Sequence, residues 1–244
     1  MWYLLRKEVN FFFSSLTGYL VVLVFLAVTG TCLWVLPGVL NIPDSGYASL
    51  DSLFYIAPWV FLFLIPAITM RSFSEEIKSG TIELLLTKPI GEMQLVSAKF
   101  LAAVLLIFIS LLPCAVYFAS VWFLGNPPGN LDTGAACGAM IGLFFLASVY
   151  ASSGVFISSL TDNQVVAFIS TAVLCFVFYE GFDALAQPIS SPVLKDFVST
   201  FGIKGHYTSI SRGVIDSRDL IYFLVIILLF LFLTRLKLQS RKWK

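Results

Sequence analysis

Long apolar runs, separated by short polar segments, dominate the hydrophobic pattern of the chain. A helix needs about 20 apolar residues to cross a bilayer core of about 30 Å, and six runs approach or exceed that length. The six predicted spans are 17–36, 53–70, 100–124, 135–157, 165–182 and 220–236. The pattern predicts an all-α integral membrane protein, with one transmembrane domain over residues 1–244.

The segment before the first span has a helical repeat of its own. Its apolar positions recur every three or four residues, at Trp2, Leu5, Val9, Phe12 or Phe13, and Leu16. Arg6, Asn10 and Ser14 fall on the opposite face. Residues 1–16 are therefore predicted to form an amphipathic helix that lies in the membrane interface. A frayed terminus is the alternative.

The segment 71–99 is the most polar stretch between two spans. Gly80 is expected to end an extension of span 2, and Thr81 to cap a short helix that runs to about Leu86. Pro89 breaks the chain again before span 3. This alternation of breakers and apolar turns predicts a folded helix-turn-helix, although an ordinary solvated loop remains the alternative.

The segment 183–218 is too apolar for a plain linker. Ser191 and Pro192 are typical of a helix start, apolar residues follow at helical spacing, and Gly202 is expected to end that helix. A short amphipathic helix at the membrane surface is predicted here. Asp216 is expected to cap span 6.

Span 4 opens with Gly134, Gly138 and Gly142 on one helix face. Small residues on one face allow a second helix to approach closely. That helix belongs either to the same chain, which we favour, or to a second copy across a dimer interface.

Composition supports a membrane protein. Hydrophobic residues make up 59% of the chain and charged residues 12%, against about 45–50% and about 25% in soluble domains. These values exclude both a soluble globule and a disordered chain. The net charge of +1 gives no indication of a nucleic-acid partner.

The distribution of basic residues predicts the orientation. Most lysines and arginines precede span 1, lie between spans 2 and 3, or follow span 6, which are all on one side of the membrane. The positive-inside rule places that side in the cytoplasm. Both termini are therefore predicted to be cytoplasmic and 183–218 to be outside.

Catalytic motifs are missing. The sequence has no GxxxxGK[ST] phosphate-binding loop, HExxH or GxSxG motif, and its single histidine, His206, lies outside the spans. Ser152 and Ser153 in span 4 therefore lack a histidine partner for a protease. We expect no enzyme activity, no metal site and no cofactor, with ATP and magnesium bound only by a partner ATPase.

A family resemblance rests on the run Glu75-Glu76-x-x-Ser79-Gly80-Thr81-x-Glu83-x-Leu85-x-x-x-Pro89 ahead of Lys99-Phe100. This run resembles the type-2 ABC transporter permeases. The resemblance implies an interface helix before span 1, a cytoplasmic coupling helix between spans 2 and 3, and short extracellular helices between spans 5 and 6. The residues to which it assigns ATPase coupling are Glu75, Glu76, Gly80, Thr81, Glu83, Leu84, Leu85 and Pro89.

The run from His206 to Phe223 looks like a narrower group, which includes the gliding-motility permease GldF and the permease of the nitrous-oxide-reductase maturation transporter. The short N-terminus and the length of 244 residues look most like GldF, which implies the inner membrane of a bacterium. That resemblance implies a half-transporter, in which two permease subunits each rest on one ATPase. The expected partners are a GldA-like ATPase, a GldG-like auxiliary membrane subunit, a second permease subunit and the lipid bilayer. The alternative is a structural anchor that transmits ATPase motion without passing a substrate.

Overall fold

The computed structural model describes residues 2–14, 16–86, 91–189, 191–213 and 216–242, and within them the chain contains helices and no strand. The helices before span 3 are α1 Trp2–Ser14, α2 Leu16–Gly30, α3 Ile42–Ser45, α4 Asp51–Thr69, α5 Ser74–Lys78 and α6 Thr81–Leu86. The remaining helices are α7 Glu92–Leu111, α8 Cys114–Leu124, α9 Thr133–Leu160, α10 Gln164–Phe176, α11 Phe182–Ala186, α12 Pro192–Ser199, α13 Ile203–Ser211 and α14 Ser217–Lys242.

Six helical stretches of the described residues are long and apolar enough to cross a membrane, which confirms the predicted number of spans. They are Gly18–Val35, Asp51–Lys78, Glu92–Leu124, Thr133–Leu160, Gln164–Ala186 and Ser217–Arg241. Span 3 is divided into α7 and α8 near Pro113, which has no amide hydrogen to continue the helix. Span 5 passes from α10 to α11 through the π-helical turn Val177–Gly181.

Span 4 is the centre of the bundle. Its helix α9 packs against α4, α7, α10, α13 and α14. Small residues allow these approaches, and the closest is at Gly154, where a Cβ atom would lie 2.8 Å from Thr69 Cβ of α4. Tyr150 fills the middle of the core and is 1% exposed.

The N-terminal helix α1 packs on α7. Leu4 and Phe12 are buried against the protein, whereas Trp2 is 77% exposed. The helix therefore has one face on the bundle, and Trp2 belongs to the face that the bundle leaves uncovered.

The segment between spans 5 and 6 contains helices α12 and α13, where the residue pattern predicted one helix and the family resemblance implied several. Helix α12 begins at Pro192 as predicted and ends at Ser199, ahead of Gly202. Helix α13 was missed, although Ile203, Tyr207 and Ile210 recur at helical spacing and are all buried. Its apolar face packs on α9 rather than on the membrane surface, so this part of the segment belongs to the folded bundle.

Candidate functional site

The segment between spans 2 and 3 folds as two short helices. Gly80 adopts a φ of +71° after α5, the left-handed conformation that was predicted to stop the extension of span 2. Helix α6 follows and extends to Leu86 as predicted. It begins at Thr81 rather than after it, and the Thr81 hydroxyl bonds back to Ser79 Oγ at 2.9 Å. Pro89 lies outside the described residues.

The extension of span 2 is not one continuous helix, because tertiary contacts interrupt it at residues 70–73. Ser158 Oγ, near the end of span 4, accepts hydrogen bonds from Phe73 N at 2.9 Å and Ser74 N at 3.1 Å. The same hydroxyl donates to Met70 O at 3.1 Å. One serine therefore fixes the turn between α4 and α5 to span 4.

Lys99 of α7 is the most buried charged residue near this segment, at 3% exposure. Its ammonium group donates to Ser72 O at 2.6 Å, to Glu76 Oε1 at 2.9 Å and to Glu8 Oε1 at 3.2 Å. The Phe73 ring lies 5.0 Å from the same nitrogen. Lys99 therefore joins α1, the turn before α5, α5 itself and span 3.

The charged side chains around Lys99 differ in their exposure to solvent. The side chains of Glu8 and Glu76 are 12% and 14% exposed, so both carboxylates share one buried cation. Lys7 is 53% exposed and lies 3.9 and 4.0 Å from the two carboxylates. A buried pair is costly to break from one side, because the remaining charge stays desolvated. The exposed Lys7 contributes little by comparison.

A cavity of about 410 Å³ opens between α1 and the α5–α6 segment. The predicted coupling residues Glu75, Glu76 and Thr81 line it, together with Lys99. Glu83 is exposed on α6, and Ile82 beside it is 4% exposed. Leu84 and Leu85 lie in the last part of α6. Ile82 thus anchors α6 in the hydrophobic core, whereas the side chain of Glu83 is exposed.

A family model described as ABC-2 family transporter protein matches residues 38–234. The chain belongs to this family. The match includes Glu76 and Lys99 but not Glu8, so the Lys99 cluster joins the family region to the N-terminal helix. A search of curated proteins found no match.

Family membership makes the chain a multi-pass membrane permease of an ABC transporter. The membrane domain of this family is a non-catalytic component, and the family implies an ABC ATPase as partner. Ser152 and Ser153, which the sequence left without a histidine partner, donate to carbonyls of their own helix. A search of the described residues for a cluster of His, Cys, Asp and Glu that could hold a metal finds none.

The glycine stripe of this ABC-2 permease faces the segment between spans 5 and 6 of the same chain. A Cβ atom at Gly138 would lie 2.9 Å from Gly213 Cα, and one at Gly142 would lie 2.8 Å from Ile210 Cγ2. Gly134 lies beside Asp132, the N-cap residue of the same helix, since a Cβ atom at Gly134 would lie 3.4 Å from Asp132 Oδ1. The close approach at Gly138 and Gly142 therefore lies within one chain.

The end of the bundle near α13 carries polar contacts that the sequence did not indicate. Lys204 of α13 lies 2.5 Å from Glu180 Oε1 of span 5, and Tyr207 donates to Phe54 O of span 2 at 2.6 Å. Lys204 and Tyr207 also line a cavity of about 1040 Å³. The buried repeat of α13 was the signal that could have located this contact.

Proposed function

We propose that this ABC-2 permease couples ATP hydrolysis by a separate ABC ATPase to movement across or within the inner membrane of a bacterium. The ATPase docks on the α5–α6 segment. The observation that carries the proposal is the buried Lys99 cluster, which connects this exposed segment to span 3 and to α1.

Motion of the docked ATPase reaches the bundle by two routes. Displacement of α5 pulls on Lys99 through Glu76, and with it on span 3 and α1. The turn before α5 is tied to span 4 through Ser158, and span 4 contacts most of the bundle. A segment with such short and buried connections moves the spans with it, whereas a solvated loop would absorb the motion.

The proposed orientation places both termini and the α5–α6 segment in the cytoplasm. It rests on the concentration of basic residues at one side of the spans. The end of α14 belongs to that side and carries Arg235, Lys237 and Arg241. Helices α12 and α13 are then at the outer face.

The proposed class is the gliding-motility type. Its support is the run from His206 to Phe223, which resembles a group that includes GldF and the permease of the nitrous-oxide-reductase maturation transporter, together with a length that is most like that of GldF. Two copies of the permease would then assemble with a GldA-like ATPase and a GldG-like auxiliary subunit. The alternative is a structural anchor, which would use the same docking segment but would not pass a substrate. Transport measurements distinguish the two functions.

Charge reversal at Glu83 tests the docking segment. Glu83 is exposed on α6, so Glu83→Lys changes the surface offered to the ATPase without burying a charge. We expect a loss of affinity worth about 2–5 kcal/mol if the carboxylate pairs with a desolvated basic residue of the ATPase. Co-purification of the ATPase with the permease from detergent extracts measures this loss.

Asp196→Lys is the matched control, because Asp196 is an exposed acid on α12 at the proposed outer face. This variant should retain the ATPase at the wild-type ratio. Normal recovery of the ATPase with Glu83→Lys, together with unchanged stimulation of its ATP turnover, would contradict docking at α6.

A further inference from the structure

The end of α12 is fastened to the start of span 6 through His206 of α13. His206 Nδ1 lies 2.7 Å from Asp219 Oδ1, and Nε2 lies 3.0 Å from the carbonyl oxygen of Thr200. The imidazole also stacks on Tyr222, with ring centroids 3.9 Å apart and planes inclined by 22°. The side chains of His206 and Asp219 are 17% and 10% exposed, so the bond between them is partly shielded from solvent, whereas the contact with Thr200 O lies at an exposed position.

Both ring nitrogens of His206 face acceptors. A carboxylate and a carbonyl oxygen cannot donate, and a neutral imidazole carries only one N–H. Both contacts are hydrogen bonds only when the ring is doubly protonated. A neutral ring keeps its hydrogen on Nδ1, because a bond to an ionised carboxylate is the stronger of the two. Nε2 then turns a lone pair toward the Thr200 oxygen, and that contact becomes repulsive.

We propose that His206 is a proton-operated latch on the outer helices. The protonated ring holds the end of α12 against α13 and span 6, and the neutral ring releases it at Thr200. Gain or loss of one proton on the ring therefore operates the latch. That His206 faces the outer compartment rests on the orientation proposed above. The operation of the latch does not depend on that orientation.

The neighbouring ionisable groups leave Asp219 as the counter-ion. Lys204 is paired with Glu180, and Asp216 accepts from Arg218 N at 2.9 Å as the cap of α14. At the same end of the bundle, the elements around His206 also carry the ionisable side chains Asp132, Tyr179, Asp183, Lys195, Asp196, Tyr207, Arg212, Arg218 and Tyr222. Among the described contacts of the ring, Asp219 supplies the one carboxylate.

Release by the neutral ring is partial. Tyr222 donates to Phe201 O at 2.6 Å, and this bond does not depend on the charge of His206. Phe201 also keeps ring contacts with Phe182 and Phe197. The neutral ring therefore releases the chain at Thr200, while Phe201 stays bonded to Tyr222 of span 6. This arrangement permits a hinge motion of α12 rather than its unfolding.

Hydrogen exchange across pH tests the latch on the purified full chain, without an ATPase. Peptides that cover 192–202 should exchange about three- to tenfold faster at pH 8 than at pH 5.5, after correction for intrinsic rates, because one hydrogen bond is lost. His206 is the single histidine of the chain, so its NMR signal in a tag-free protein reports protonation directly. The pH at which the exchange rate of 192–202 changes should coincide with the pH at which the NMR signal of His206 changes.

Two variants and one control make the test decisive. His206→Gln should abolish the pH dependence of exchange, and Asp219→Asn should move the transition to lower pH, since the imidazolium loses its counter-ion. Ser211→Ala, whose hydroxyl bonds within α13, should behave as wild type. Exchange that is independent of pH in the wild-type chain, or that keeps its pH dependence in His206→Gln, overturns the latch and leaves the ATPase coupling untouched.

Discussion

Replacement of Lys99 by methionine is expected to destabilise the folded permease by about 3–5 kcal/mol. Methionine keeps most of the length of the side chain but removes the cation that Glu8 and Glu76 share. The peripheral Lys7 is then the salt-bridge partner that the described contacts leave to the two carboxylates, and the Ser72 carbonyl loses its donor. Thermal unfolding in detergent measures the loss, and uncoupled ATP turnover in the assembled complex is expected with it.

Two further variants separate the charge from the packing. Lys7→Met removes an exposed cation and should cost no more than about 1 kcal/mol. Lys99→Met combined with Glu76→Gln should recover part of the stability, because the double variant removes one of the two unpaired charges. Equal losses for Lys7→Met and Lys99→Met would show that the buried cluster does not hold α1 and α5 to span 3.

Gly154→Ala is expected to destabilise the bundle by about 1–3 kcal/mol or more, as overpacking does in a close-packed core. The added methyl group would contact Thr69 Oγ1, lie 2.8 Å from Thr69 Cβ and lie 3.1 Å from Thr171 Cγ2. Spans 2, 4 and 5 therefore have to separate to accommodate it. Thermal unfolding and the yield of monodisperse protein measure the effect.

Gly205→Ala is the matched substitution, since a Cβ atom there meets nothing within 4 Å. Gly205 lies inside α13, where alanine is favoured over glycine by about 0.5–1 kcal/mol. This variant should be neutral or slightly more stable than wild type. A Gly154→Ala protein that unfolds at the wild-type temperature would contradict the close packing of spans 2 and 4.

Local sequence signals predicted much of the fold. The lengths of the apolar runs located all six spans, because the bilayer fixes the length of a spanning helix. Gly80 and Pro192 were informative because their positions depend on backbone conformation rather than on distant partners. The start of α12 was predicted correctly because Pro192 marks it locally, whereas the helix ends at Ser199, ahead of the Gly202 that was expected to end it.

The Lys99 cluster could not be predicted, because its members are far apart in the sequence. Glu8 and Lys99 are separated by 91 residues, and Lys99 was interpreted only as a basic residue on the cytoplasmic side. The interruption of span 2 at 70–73 depends on Ser158, again from another span. The contact between His206 and Asp219 is closer in sequence, but it requires the unpredicted helix α13.

Site-directed cross-linking tests the central claim, that the α5–α6 segment docks an ABC ATPase. In a permease whose four native cysteines are replaced, one cysteine is introduced at Glu83 or, as control, at Asp196, and the cognate ABC ATPase is co-expressed. A short thiol-to-amine cross-linker, which joins the introduced cysteine to a nearby lysine, is applied to permeabilised membranes and should give a permease–ATPase adduct from position 83 and none from position 196. An ATPase that co-purifies but never forms an adduct from position 83, or forms one from position 196, contradicts the account.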